Sequence, residues 1–213
     1  MFTILSKRLL RWGTPDPAYD WMMYGHAVLD EGGLILIDPP VIPGLLLNAR
    51  RLGKIESVVL TTLDHSRGSA FIVKKTGAKL FVPDQTADDV DPMALRLLEE
   101  VKDYETYSEG EVAGLSSFRL KTVGNRSIGV PSMNEFALLT RENELMVGDF
   151  ASVSPEGKIM VAPEWYPSDE PAIPFTEGRQ IFKEVVKRSG ARSLVSSHGD
   201  CLLGNLQDAI KTI

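Results

Sequence analysis

Apolar and polar positions recur along this chain in two ways, and each kind of run predicts a different place in a fold. Leu34-Ile35-Leu36-Ile37 is apolar on both faces of an extended strand, so it belongs inside a sheet. Ala27-Val28-Leu29 precedes it across Asp30-Glu31-Gly32-Gly33, whose glycines permit a tight hairpin turn. Asp38-Pro39-Pro40 ends the second strand, because proline cannot donate to a ladder. Residues 43–52 then read as a helix stopped by Gly53. Residues 57–61 predict another strand. Residues 66–75 predict a helix with Ser66 as N-cap and Gly77 as its close, and residues 79–83 a third strand. That strand-helix-strand rhythm predicts parallel crossover units.

The second half continues the pattern more irregularly. Residues 88–102 read as a short helix, and runs at 116–121, 135–140 and 144–147 read as strands, the last two joined through Arg141-Glu142-Asn143. Residues 152–174, rich in Pro, Ser, Glu and aromatics, read as a long surface excursion able to cover a pocket or form a homodimer contact. A helix over 175–189, a buried strand over 193–197 and a closing helix over 203–213 complete the chain. With 213 residues and neither linker nor repeat, one domain over 1–213 is expected.

Charge and cysteine content narrow the partners. A net charge of -6 argues against nucleic acid or an anionic membrane surface, since both would repel an acidic body. No run approaches the roughly 18 apolar residues of a membrane span, and Met1–Ser6 lacks the features of a signal peptide. The single cysteine, Cys201, excludes an internal disulfide and fits a reducing compartment, so a cytoplasmic location is expected.

Candidate chemistry gathers at three strand ends. Thr61-Thr62-Leu63-Asp64-His65-Ser66-Arg67-Gly68 follows the strand at 57–61 and offers a carboxylate oxygen beside an imidazole nitrogen, a pairing suited to Zn, Mn or Fe. Val147-Gly148-Asp149 and Ser196-Ser197-His198-Gly199-Asp200 follow two further strands. Two carboxylates and two imidazoles fill most of a coordination sphere and leave room for water, which a metal would activate as a nucleophile. His26 reads as a strand-end structural histidine. Asp38 reads as a fixer of the loop beneath the site, and Arg67 and Arg126 as surface arginines or anion contacts.

Taken in order, these segments resemble the metallo-β-lactamase fold superfamily. The resemblance runs from Gly25-His26-Ala27-Val28-Leu29, through Leu36-Ile37-Asp38-Pro39, Asp64-His65 with Gly68, and Leu145-Met146-Val147-Gly148-Asp149, to His198-Gly199. It implies an α/β architecture, an αββα sandwich, and places His26 near the pocket. The family's His-x-His-x-Asp-His motif falls on Leu60-Thr61-Thr62-Leu63-Asp64-His65, so both leading histidines are replaced; a second register anchored on Thr61 removes more ligands. A later family histidine falls near Asn125. In the first register Asp64, His65, Asp149 and His198 match the second metal position, implying one Zn, Mn or Fe ion, with Asp64 also able to orient water as a general base. The same four residues also satisfy one another as a metal-free polar cluster. Two functions follow: a metal-dependent hydrolase with at most a mononuclear site acting on a small molecule, or a non-catalytic protein binding a small molecule or a protein. A redox role is a third, weaker implication.

Overall fold

The computed structural model describes residues 2–84, 92–120, 135–161 and 175–213. Among these, one sheet runs in chain order through β1 (Thr3–Ile4), β2 (Leu9–Pro15), β3 (Met22–Asp30), β4 (Gly33–Ile37), β5 (Ile55–Val59), β6 (Lys79–Pro83) and β7 (Tyr104–Tyr107). β1 to β4 pair antiparallel, and β4 to β7 pair parallel through helical crossovers, α1 (Leu45–Leu52), α2 (Ser69–Thr76) and α3 (Pro92–Glu100). β8 (Gly110–Val112), β9 (Leu115–Leu120), β10 (Glu135–Leu139) and β11 (Glu144–Val147) build the second sheet, whose spatial order continues from β11 to β14 (Ser193–Ser196) and β15 (Cys201–Leu202). β11 and β14 are parallel. A separate ribbon pairs β12 (Ala151–Val153) with β13 (Ile159–Val161), and α4 (Phe175–Ser189) and α5 (Leu206–Ala209) follow in sequence on either side of β14 and β15.

Side-chain alternation explains the layering. In β4, Leu34 and Leu36 pack with Leu45, Ile72 and Leu97 of the first helical layer, whereas Ile35 and Ile37 pack with Phe136, Leu138, Met146 and Val195 of the other sheet. In β11, Met146 faces the first sheet, while Leu145 and Val147 pack with Phe182, Val185 and Val186 of α4. Burying each such side chain stabilises by roughly 1.5–3 kcal/mol, so a one-residue slip that exchanged the two faces is strongly opposed. The result is the expected αββα sandwich, with β4 at the centre of its sheet.

Several local readings change. The excursion expected from residue 152 contains the β12–β13 ribbon, turned by Ser154-Pro155-Glu156-Gly157; residues 162–174, with Trp165 and Tyr166, lie outside the described residues. Ser66 does not cap α2: it ends a 3-10 turn over Leu63–Ser66, and Gly68 holds the N-cap position. The closing helix shortens to Leu206–Ala209, extended by a 3-10 turn over Ile210–Thr212.

Parallel pairing fixes where the chemistry lies. β4 and β5 end at the same edge of the first sheet, delivering Asp38 and the 61–68 loop. β11 and β14 end together in the second, delivering Asp149 and His198. Backbone bonds join the two edges, Tyr24 N–H to the Ser197 carbonyl at 2.9 Å and Phe136 N–H to the Thr61 carbonyl at 2.9 Å.

Candidate metal centre

Asp38 is the hub beneath the site. It is fully buried and stands at φ 45°, in the left-handed region that aspartate tolerates better than most residues. Its Oδ1 accepts the Thr61 N–H at 2.8 Å, and its Oδ2 accepts the Thr61 hydroxyl at 2.6 Å, the Ser197 hydroxyl at 2.9 Å and His65 Nδ1 at 2.9 Å. Burial alone would raise its pKa, but His65, Arg67 and Thr61 together hold it down at about 2. One carboxylate thus ties β4, the 61–68 loop and the end of β14 together.

Above it lie two imidazoles and a second carboxylate. His65 Nε2 is 3.1 Å from Asp149 Oδ1, His198 Nε2 is 3.2 Å from the same oxygen, and the two Nε2 atoms are 3.4 Å apart. Each histidine has its Nδ1 engaged from behind, by Asp38 in one case and by the Met22 carbonyl at 3.0 Å in the other. Burial and Arg67 push the His65 pKa down, but Asp149 and Asp38 override them and raise it to about 10. Burial would raise Asp149, yet His65 and His198 hold it well below the usual carboxylate range. Asp149 is the open side of the group: its side chain is 19% exposed, against 5% for His65 and 7% for His198. Trp21 stands edge-on to His198, with ring centroids 5.6 Å apart, and Tyr19 stacks on Trp21.

The ligand-type atoms of His65, Asp149 and His198 all lie within 4.8 Å of one another. Asp64, the fourth residue expected there, is not part of that group. It is half-buried in the 3-10 turn, its N–H donating to Thr62 Oγ1 at 3.4 Å, while its neighbour His65 turns inward.

Two further residues belong to this site, and sequence reasoning undervalued one and passed over the other. Arg67, read from the sequence as a surface arginine or an anion contact, sends Nη1 to the Tyr24 carbonyl at 2.8 Å and the Asp38 carbonyl at 3.1 Å, and Nη2 to His198 Nε2 at 3.2 Å. Glu135, buried at the start of β10, accepts the N–H groups of Gly148 at 2.8 Å and Asp149 at 3.0 Å, which fixes the loop that presents Asp149. Burial, then Asp149, push the Glu135 carboxyl above its ordinary range. A glutamate opening an otherwise apolar strand was the available signal. Gly148 has no room for a side chain, since a Cβ there would come within 2.6 Å of Thr61 Oγ1.

Neither a protein-family model nor a curated protein matches the sequence. Solved structures do. DIM-1 metallo-β-lactamase aligns with a TM-score of 0.68 at 13% identity, over 100% of this chain and 97% of that one. FIM-1 metallo-β-lactamase from Pseudomonas aeruginosa, solved in a mono-zinc form, aligns with a TM-score of 0.66 at 14% identity, over 100% and 93%. A metallo-β-lactamase from Pontibacter korlensis aligns with a TM-score of 0.62 at 13% identity, over 99% and 95%. The chain has the metallo-β-lactamase fold.

Within that metallo-β-lactamase fold, the two positions that the motif comparison gave to leading histidines are Leu60 and Thr62. Leu60 is fully buried in the helix-side core, and Thr62 is buried with its hydroxyl on the Asp64 N–H. Asn125 and Arg126 lie outside the described residues. Cys201 packs against the core between the sheets, and burial raises its thiol pKa. Among the described residues no helix is long and apolar enough to cross a membrane.

His26 lies in the same inter-sheet layer, fully buried, and neither ring nitrogen has a hydrogen-bond partner among the described residues. Burial, then Arg11, with smaller contributions from Arg67 and His65, outweigh Asp38 and lower its pKa from 6.5 to about 3. The folded protein therefore keeps His26 neutral while the unfolded chain takes up a proton as pH falls through 6.5. Stability attributable to His26 is complete above that pH and declines below it, approaching about 1.4 kcal/mol per pH unit. Denaturant unfolding of wild type and His26→Leu at pH 7, 6 and 5 should show the variant gaining about 2 kcal/mol on wild type across that range, most of it below pH 6; parallel pH dependences would refute it.

Proposed function

We propose that this chain is a metal-dependent hydrolase with a mononuclear centre held by His65, Asp149 and His198. One observation carries the reading: both histidines are engaged at Nδ1 by oxygen acceptors, and both aim Nε2 at a single carboxylate oxygen. Metal-binding histidines are oriented in this way. The separations of 3.1, 3.2 and 3.4 Å also suit three ligands on one ion, because bonds of about 2.0–2.1 Å at tetrahedral angles put ligand atoms roughly 3.3 Å apart. Zinc matches this nitrogen and oxygen set, and Mn or Fe would also be accepted.

When bound, such an ion acidifies water and polarises a substrate carbonyl or phosphoryl oxygen. The chain supplies the rest. Asp38 and the Met22 carbonyl orient the imidazoles, Glu135 holds the Asp149 loop, and the partly exposed Asp149 faces the side from which a small-molecule substrate would approach. Trp21 and Tyr19 offer that substrate an aromatic wall.

A second reading, a non-catalytic protein using the same pocket, draws on a different observation. His65 between Asp38 and Asp149, with Arg67 on His198, balances its own charges and hydrogen bonds. Elemental analysis of untagged, chelator-free protein separates the two. About one equivalent of metal, lost in His65→Ala and His198→Ala and kept in Asp64→Ala, is the expected result, together with metal-dependent cleavage of an ester, thioester, lactam or phosphoester. Metal-free protein whose thermal unfolding does not respond to added zinc or manganese would overturn the hydrolase in favour of the binding protein.

A further inference from the structure

Arg67 reaches the site through a strained turn. It stands at φ 35° directly before Gly68, whose N–H donates to the Pro39 carbonyl at 3.2 Å and which cannot carry a Cβ without meeting Val41 and the Pro39 carbonyl. The chain thus passes tightly under the Asp38–Pro39 corner and turns the Arg67 side chain into the site. The Tyr24 and Asp38 carbonyls fix Nη1 at 2.8 and 3.1 Å, leaving Nη2 aimed at His198 Nε2 at 3.2 Å.

The Met22 carbonyl can only accept, so His198 Nδ1 carries the hydrogen; in the neutral imidazole Nε2 then holds its lone pair, which faces Arg67 Nη2 at 3.2 Å, with Asp149 Oδ1 also 3.2 Å away. Arg67 Nη2 donates to that lone pair. A metal bound by His65, Asp149 and His198 needs the same lone pair, and one lone pair cannot serve both. A divalent ion there would also face a guanidinium at close range, and two cations in a partly buried site repel strongly.

We propose that Arg67 is a built-in competitor for the metal: its guanidinium holds the Nε2 lone pair of His198 in the metal-free protein, and metal entry requires Nη2 to withdraw. The inference rests on the mononuclear centre proposed above. It assigns Arg67 the role of setting how tightly the centre holds its ion, and it accounts for both readings of the cluster as two states of one site.

The test is zinc titration against a chromophoric chelator, comparing wild type with Arg67→Met, which keeps length and removes the charge and donors. Losing a charge-assisted hydrogen bond that opposes binding should tighten zinc about tenfold or more. A second measurement needs no variant: structures of zinc-loaded and chelator-treated wild type, with Nη2 moved beyond hydrogen-bond reach of His198 Nε2 only when zinc is bound. Equal or weaker zinc binding by a folded Arg67→Met, or zinc on His198 with Nη2 still in place, would overturn the competition and leave the metal centre standing. No zinc on either protein would overturn the centre and the competition together.

Discussion

Asp38→Ala is expected to cost about 3–5 kcal/mol of folding stability, the range found when one partner is removed from a buried charged network. The change strips the acceptor from Thr61, Ser197 and His65 at once and leaves each donor buried. At about 2–4 °C per kcal/mol for a chain of this size, the melting temperature should fall by roughly 10 °C. Asp38→Asn separates the network from the backbone, because asparagine accepts a positive φ as readily as aspartate. It keeps an acceptor for the Thr61 N–H but presents an amide N–H to His65 Nδ1, favouring the tautomer with its hydrogen on Nε2. That tautomer has no lone pair for a metal. Asp38→Asn should therefore lower metal affinity on the order of 10–100-fold although the residue touches no ion. Urea unfolding and zinc titration of the two variants measure both effects. A loss below about 1 kcal/mol in the alanine variant would show that the hub is replaceable.

The second large effect is expected at Asp149. Both Nε2 atoms converge on its Oδ1, and it also supplies a negative charge beside His65. Asp149→Ala should weaken metal binding on the order of 100-fold or more, beyond what loss of a supporting partner costs. Any metal-dependent hydrolysis should disappear with it. Glu135→Gln provides the contrast: it disturbs the loop through Gly148 and Asp149 N–H but leaves the carboxylate in place, so a smaller loss is expected. Equal zinc retention by wild type and Asp149→Ala would remove this residue from the centre.

The parts legible in the sequence are those written in side-chain period. The doubly apolar run at 34–37 gave its own central place, and the runs near 57, 144 and 193 each led into a chemistry-bearing loop, because parallel strands deliver their ends to one edge. Asp149, His65 and His198 could be read for that reason. Arg67 could not, since its inward path depends on a positive φ and on the tight passage of Gly68 beneath Pro39, neither of which residue preference encodes. Asp64 and His65 are adjacent in sequence, but a 3-10 turn rotates successive side chains by about 120°, so one faces in and the other half out. The β12–β13 ribbon was obscured by the polar turn at its centre, although the triplets Ala151-Ser152-Val153 and Ile159-Met160-Val161 carry apolar ends suited to pairing.

The two sheet edges that meet at the site have a kinetic consequence. Asp38 and His65 come from one sheet, Asp149, Ser197 and His198 from the other, with His65 and Asp149 84 positions apart and Asp38 and Ser197 159 positions apart in sequence. Contacts so distant in sequence carry a high loop-closure cost and need the two sheets docked to form. An ion shared by His65 and His198 would act as a cross-link between the halves, and its main signature would be slower unfolding rather than faster folding.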